Sequence, residues 1–268
     1  MSGRRAGVLA VGLVTPLGDE LHAVLGRARA GETALRPSEK LADLPDPRAA
    51  LVEGPSLQGW LKRKKDARLL PRSAELALPA AGRALLGFTG DVEELGLCVA
   101  VGREPPDEGE AEASLVAMAG GEPGAYVLDR ALLGGAGRAL YPPLLPLRTL
   151  PNMVLAHVAI QHGIRGENNT WAGGAEAGAQ ALRAALRLVD EGRAAYCLVG
   201  AASSDVDLAS ARDRLRLGRT GPPGEAAIFA LIGAGGAPVR EDAALLAALR
   251  AAMGDCGAVE GLYGVLGA

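Results

Sequence analysis

Histidine is scarce in this sequence: 268 residues hold three, His22, His157 and His162, and none follows position 162. The last two stand five apart, which does not place both on one helical face and excludes a helical metal-ligand pair. The three cysteines, Cys98, Cys197 and Cys256, are odd in number, far apart and without C-x-x-C spacing. Neither a disulfide framework nor a zinc site is expected from them. Cys98 and Cys197 sit in apolar strand-like runs and read as small buried side chains, reduced as in a cytoplasmic protein. Cys256 lies among glycines and reads as the more exposed thiol. Aromatic residues make up only 3% of the chain, which argues against aromatic ligand platforms. Nowhere is there an uninterrupted apolar run of the roughly 18–20 residues a membrane helix needs. Arg4 and Arg5 precede an apolar run from Ala6 to Leu17, but it is short, carries Gly and Pro and lacks a cleavage signature, so no signal peptide is expected. Charge of neither sign dominates: 28 basic against 31 acidic residues give a net charge of −3, with no general attraction to nucleic acid or to an anionic membrane.

What is abundant is aliphatic. Hydrophobic residues are 49% of the chain, enough to bury a full core in one large domain spanning 1–268. The wealth of Ala and Gly favours close helix–sheet packing and resembles the coding bias of a GC-rich bacterium. Apolar runs predict strands at Ala6–Val14, Leu95–Gly102, Asn169–Gly174, Ala195–Ala201 and Ala226–Ile232. Helical spacing predicts helices at Glu20–Ala30, Ser73–Leu86, Asn152–His162, Ala175–Glu191 and Asp242–Met253, with Pro79 expected to kink or end the second. Glu32–Pro55 reads as loop, Arg103–Gly124 as surface loop with a short helix at Ala111–Met118, and Val259–Ala268 as a final apolar segment. Strands alternating with helices predict an α/β fold, its sheet covered on both faces.

Several local patterns invite functional readings. Ile232 to Pro238 looks like part of a dinucleotide loop, but Pro238 stands where the last glycine belongs and a strand-terminal turn accounts for it better. The run Lys62, Arg63, Lys64 and Lys65, with Arg68 and Arg72, reads either as a solvated helix face or as a docking patch for an acidic partner. Ser203-Ser204-Asp205 could supply a nucleophile, yet no G-x-S-x-G surrounds it and no histidine is near in sequence. A turn after the preceding strand is the plainer account.

Six blocks, in order, resemble those of β-ketoacyl synthases. Gly12 to Gly18 resembles the opening G-x-V-T-P-L-G, and Trp60 through Leu85 the K-D-x-R…A-x-x-A-A-x-x-A-L block. Leu150-Pro151-Asn152-Met153 through Gly166 matches the P-N-M…G-x-x-G-P-N passage. Gly166 to Leu182 resembles the nucleophile elbow, roughly G-P-N-x-S/T-x-x-T-A-C-A/T-S/T-G-x-x-A. Gly192 to Gly200 and Gly224 to Ala227 resemble the G-x-A-D-x-x-L-x-G-G strand and G-E-G-A. The resemblance implies a thiolase-like fold, with a mixed sheet and helices on both faces. It covers residues 5–235, the family's N-terminal half, and leaves 236–268 as an abridged C-terminal remnant. The family's H-G-T-G-T loop is missing. The tail from Gly254 to Gly261 resembles G-H-x-x-G-A-A-G, with Asp255 near the histidine position.

Anchored on Gly166 and Gly178, the elbow places Ala175 where the family has its nucleophilic cysteine. A methyl group carries no acyl chain, and the two imidazoles that stabilise the enolate in such enzymes have no counterpart. The resemblance therefore implies a non-catalytic protein acting through protein–protein contact, with no cofactor and no metal. Its nearest functional analogues are chain-length factors, which pair with an active ketosynthase in polyketide, aryl-polyene or fatty-acid-type synthesis. The implied partner is a ketosynthase-like subunit, or a second copy of the chain, with an acyl carrier protein as a further candidate. One alternative is a thiolase-like adaptor or chaperone for a secretion effector of type VI kind; another is a residual acyl-thioester enzyme using Glu176 or Ser204. In the family, the segments carrying Asn152 and Met153, and Asn168, Asn169, Thr170 and Trp171, build the dimer interface, so these residues are the interface candidates.

Overall fold

The computed structural model describes residues 5–106, 108–122, 124–219, 221–240 and 242–267; Arg4 and Ala268 lie outside them. In chain order come β1 (Ala6–Val14), α1 (Leu21–Arg29), β2 (Leu35–Pro37), β3 (Arg48–Ala50), α2 (Arg72–Ala84), β4 (Gly96–Val101) and α3 (Glu108–Ala117). Then follow β5 (Ala119–Gly120), β6 (Val127–Leu128), α4 (Arg130–Gly134), α5 (Leu145–Thr149), α6 (Met153–His162) and β7 (Asn168–Ala172). The last third holds α7 (Ala175–Asp190), β8 (Tyr196–Ser204), α8 (Leu208–Arg216), β9 (Glu225–Ala234) and α9 (Ala243–Met253), and ends in a 3₁₀ run, Gly257–Gly267.

Five strands form one mixed sheet in the order β1-β9-β8-β4-β7. β9 is antiparallel to both β1 and β8, whereas β4 is parallel to both β8 and β7. Residues alternate between the faces, as the pleat requires. Along β4, Cys98 and Ala100 enter the core shared with α1, α7, α9 and the C-terminal run. Leu97, Val99 and Val101 enter the opposite core, under α2 and α6. Being buried on both sides, β4, β8 and β9 read as near-continuous apolar runs. The sheet-forming segments and the two-faced coverage agree with the expectation from sequence.

Five local expectations are corrected. The segment read as loop between Glu32 and Pro55 contains a short antiparallel pair, β2 with β3. Ser203 and Ser204 are the last residues of β8, not a turn. The helix expected at Ala111–Met118 begins earlier, at Glu108. Cys256 is fully buried, not exposed. Pro79 does not end its helix: α2 runs through it, and its burial against the sheet carries the helix past the lost hydrogen bond.

Candidate functional site

The turn from β7 into α7 is built from Gly173 and Gly174. Gly173 has φ +151°, a conformation side chains disfavour, and Gly174 is the helix N-cap, with no side chain capping it. Ala175 is therefore the first residue of a 16-residue helix whose leading N–H groups have no intrahelical partner. Its methyl is half-buried and offers no reactive atom. One turn on, Gly178 is packed against the C-terminal run: a Cβ there would lie 2.1 Å from the Ala258 carbonyl oxygen. Gly261 returns the contact, since a Cβ on it would stand 2.1 Å from the Ala175 carbonyl oxygen. The C-terminal run thus lies backbone to backbone on the start of α7, with Val259, Leu262, Val265 and Leu266 buried in the core behind it.

A cavity of about 440 Å³ opens beside this helix start, lined by Gly173 and Gly174 together with Asp205, Ser210, Arg214 and Arg219. Arg214 is buried and bridges two carboxylates, at 2.8 Å from Asp255 and 3.7 Å from Asp205. Burial pushes the Asp205 carboxyl up to about 6, against the pull of Arg214. Asp255, the residue nearest the family's histidine position, is thus an ion-pair partner in this chain. The charged cluster has no signature in the sequence: Arg214 and Arg219 sit in R-D-R-L-R-L-G-R, which reads like any solvated helix.

Glu176 is exposed, and its carboxylate is held below the usual range by hydrogen bonds from Arg183 and Gln180. It points at surface cations, not at a neighbouring reactive group. Ser204 is buried and donates to Glu225 Oε2 at 2.8 Å. Glu225 is 1% exposed; its carboxylate also accepts the Val52 N–H at 2.8 Å and pairs with Arg72 at 2.6 Å. Its oxygens are thus engaged by Ser204, Val52 and Arg72, and no imidazole hydrogen-bonds the Ser204 hydroxyl. These residues border a second cavity, of about 490 Å³, that also holds Glu104 and Arg148. His157 and His162 stand on α6 in the opposite core, held below their usual range by burial, and His162 Nε2 lies 3.2 Å from the Leu78 carbonyl oxygen. Among the described residues no group of three or more His, Cys, Asp or Glu is placed to hold a metal ion.

At the other end of the elbow, β7 is an edge strand whose only sheet neighbour among the described residues is β4. Leu97 N–H bonds to the Glu167 carbonyl and Gly173 N–H to the Val101 carbonyl. This parity directs the odd-numbered residues to β4 and leaves the backbone groups of Asn168, Thr170 and Ala172 facing the open edge. The Asn169 side-chain carbonyl occupies the Thr170 N–H at 2.8 Å. Asn168 and Asn169 are exposed; Thr170 and Trp171 are half-buried. Asn152 is exposed and Met153 half-buried at the start of α6. In the basic run, Lys62 Nζ bonds to the Ile160 carbonyl at 2.6 Å, Arg63 pairs with Asp66 at 2.9 Å, and Lys64 and Lys65 are exposed. Ile232 to Pro238 closes β9 against β1, where a Cβ on Gly7 would lie 2.4 Å from the Gly236 carbonyl, leaving no room for a dinucleotide loop.

No family model matches the sequence, and no curated protein matches it. Solved structures do. A β-ketoacyl synthase from Burkholderia phymatum STM815 superposes with a TM-score of 0.67 at 17% identity, over 86% of this chain and 59% of its own. AntDE:AntF, a type II PKS acyl-carrier protein in complex with its ketosynthase bound to the hexaketide, gives 0.64 at 15% identity over 87% and 63%. The ishigamide ketosynthase/chain length factor gives 0.63 at 18% identity over 87% and 59%. The chain spans about 60% of the length of these structures. Its fold is the thiolase-like fold of the ketosynthases, in abridged form. No helix among the described residues is long and apolar enough to cross a membrane.

Proposed function

We propose that the chain is a non-catalytic ketosynthase-like subunit that works by protein–protein contact, pairing through its sheet edge with an active ketosynthase in the manner of a chain-length factor. The observation that carries this is the elbow as a whole. Its chemical end bears a methyl at Ala175 with no imidazole near. Its structural end keeps an open strand, β7, where Asn168 and Ala172, and the carbonyl of Thr170, present backbone groups to a partner strand, the Thr170 N–H being held by the Asn169 side chain. Asn152 and Met153 on α6 would flank that contact. Lys64 and Lys65 offer exposed positive charge for an acidic carrier protein. Glu176 and Ser204 already have partners that occupy or neutralise them, which weighs against a residual acyl-thioester activity.

The test is affinity purification of the tagged chain from its native host, followed by mass spectrometry and a repeat with Thr170→Pro. Proline at this position leaves the β4 ladder intact, giving up only the N–H bonded to the Asn169 side chain, and puts a ring on the open edge; a circular-dichroism melt checks that the fold is retained. The expected outcome is an equimolar ketosynthase, with its cysteine and two histidines, that is lost with the variant. Recovery of a secretion component or toxin without any ketosynthase would overturn the proposal in favour of an adaptor.

A further inference from the structure

We infer that the apolar face formed by α3 and β6 is an interface for a second copy of the chain, joined in a two-fold contact along the outer edge of β6. Leu115 and Val116 on α3, and Tyr126, Val127 and Leu128 at β6, are all more than half exposed. With Ala119 they line a notch of about 430 Å³ that holds no polar side chain other than the Tyr126 phenol. Successive strand residues point to opposite faces, so exposure of both Val127 and Leu128 means that neither face of β6 packs on the body of the protein. The five residues offer on the order of 600 Å² in one patch, the upper end of what a monomer exposes. With a polar rim added, that area approaches the roughly 800 Å² per partner of a stable interface.

Backbone and charge both favour a second copy as the occupant. β6 pairs only with β5 among the described residues. Asp129 N–H bonds to the Met118 carbonyl at 2.8 Å, so the alternation of the ladder turns the Leu128 N–H and carbonyl to the outer edge. Such an edge can pair with an identical strand run antiparallel, Leu128 of each copy exchanging both bonds with the other across the two-fold axis. The rim of the patch carries charge of both signs. Glu112 lies three and four positions before Leu115 and Val116, on the same face of α3, and Arg130 stands two positions after Leu128. Both are exposed, and neither is ion-paired among the described residues. An acid on one side of an apolar patch and a base on the other make it self-complementary, because a two-fold axis brings each copy's acid towards the other's base. A partner of one charge sign would satisfy only one side of the rim. The patch is firmly presented: Gly137 packs so closely under α3 that a Cβ on it would lie 1.9 Å from the Ala117 carbonyl oxygen. No residue of β7 takes part, so this contact stands whether or not a ketosynthase pairs there.

The test is sedimentation velocity of the purified full chain from micromolar to near-millimolar concentration. The expected result is a monomer–dimer equilibrium with no larger species. Leu115→Lys, at an exposed position, should weaken the dimer at least about tenfold while circular dichroism stays native. Glu112→Arg and Arg130→Glu should each weaken it about fivefold, since the symmetry repeats every pair. The combined variant Glu112→Arg/Arg130→Glu, which restores opposite charges, should return to near the wild-type affinity. A chain that stays monomeric throughout would overturn the inference, and so would a combined variant no stronger than the single ones. Thr170→Pro should leave self-association unchanged. Its loss with that variant would move the dimer to β7 and overturn the inference, while recovery of a ketosynthase from the host reports separately on the proposed function.

Discussion

Ser204 and Glu104 border the same cavity and illustrate opposite fates for a buried polar group. Ser204 is tied to Glu225, which Arg72 neutralises. Ser204→Ala should therefore cost about 1 kcal/mol of stability, whereas Arg72→Met, which strands the buried Glu225 carboxylate, should cost about 3 kcal/mol; urea denaturation of the two variants checks both. If Ser204 were instead a nucleophile, its removal would change acyl-thioester hydrolysis out of proportion to stability. For Glu104, burial, aided by repulsion from Asp205 and Asp207, pushes the carboxyl up to about 8. The folded chain thus holds this proton more tightly than the unfolded one. The group's contribution to stability is complete below its unfolded pKa of about 4.5 and is lost as the pH rises through about 8. Denaturation midpoints measured across that window should fall for the wild type and fall less for Glu104→Gln, which stays neutral and leaves only the part of the slope due to Asp205, raised to about 6. Neither pair was legible in the sequence. Ser204 meets a carboxylate 21 positions away, and that carboxylate meets Arg72 across 153, so a polar triplet at a strand end looked like a turn.

At the scale of elements, the legible parts are those whose burial is written in local pattern. The apolar runs of β1, β4, β8 and β9 announce strands covered on both faces, and the Ala/Leu spacing announces α7. Glycine was harder to interpret, because it signals both exposed turns and close approach. Gly254 and Gly257 made Cys256 look exposed. In the fold, a Cβ on Gly254 would meet the Pro222 carbonyl at 2.6 Å, and one on Gly257 would meet Ser203 Oγ at 2.8 Å. These glycines mark tight packing. The same holds where the C-terminal run meets α7, and there it can be tested. Gly261→Ala forces a methyl towards the Ala175 carbonyl and, at 2.4 Å, the Ala179 nitrogen. The expected cost is about 2 kcal/mol, and hydrogen exchange should accelerate selectively in Gly257–Gly267 and in the first turns of α7.

For the whole molecule, the question is how this thiolase-like sheet closes its core on both faces. The C-terminal run closes one face by packing on α7, and α2 and α6 close the other, so the five-stranded sheet is shielded on both sides. The β7 edge and the basic run before α2 stay open among the described residues. Lys62 and Arg63 are engaged by Ile160 and Asp66, which anchors the run and leaves Lys64 and Lys65 to face solvent. If an acidic carrier protein docks there, reversing both charges in Lys64→Glu/Lys65→Glu should weaken its binding roughly tenfold at low ionic strength, with the loss concentrated in the association rate. The wild-type affinity should fall steeply with added salt and the variant's only shallowly, so the two curves converge as screening removes the interaction. Surface-plasmon measurements across a salt series read both quantities. Parallel curves with equal slopes would assign the run to a solvated face, and leave the β7 edge as the remaining surface proposed for contact with a ketosynthase-like partner.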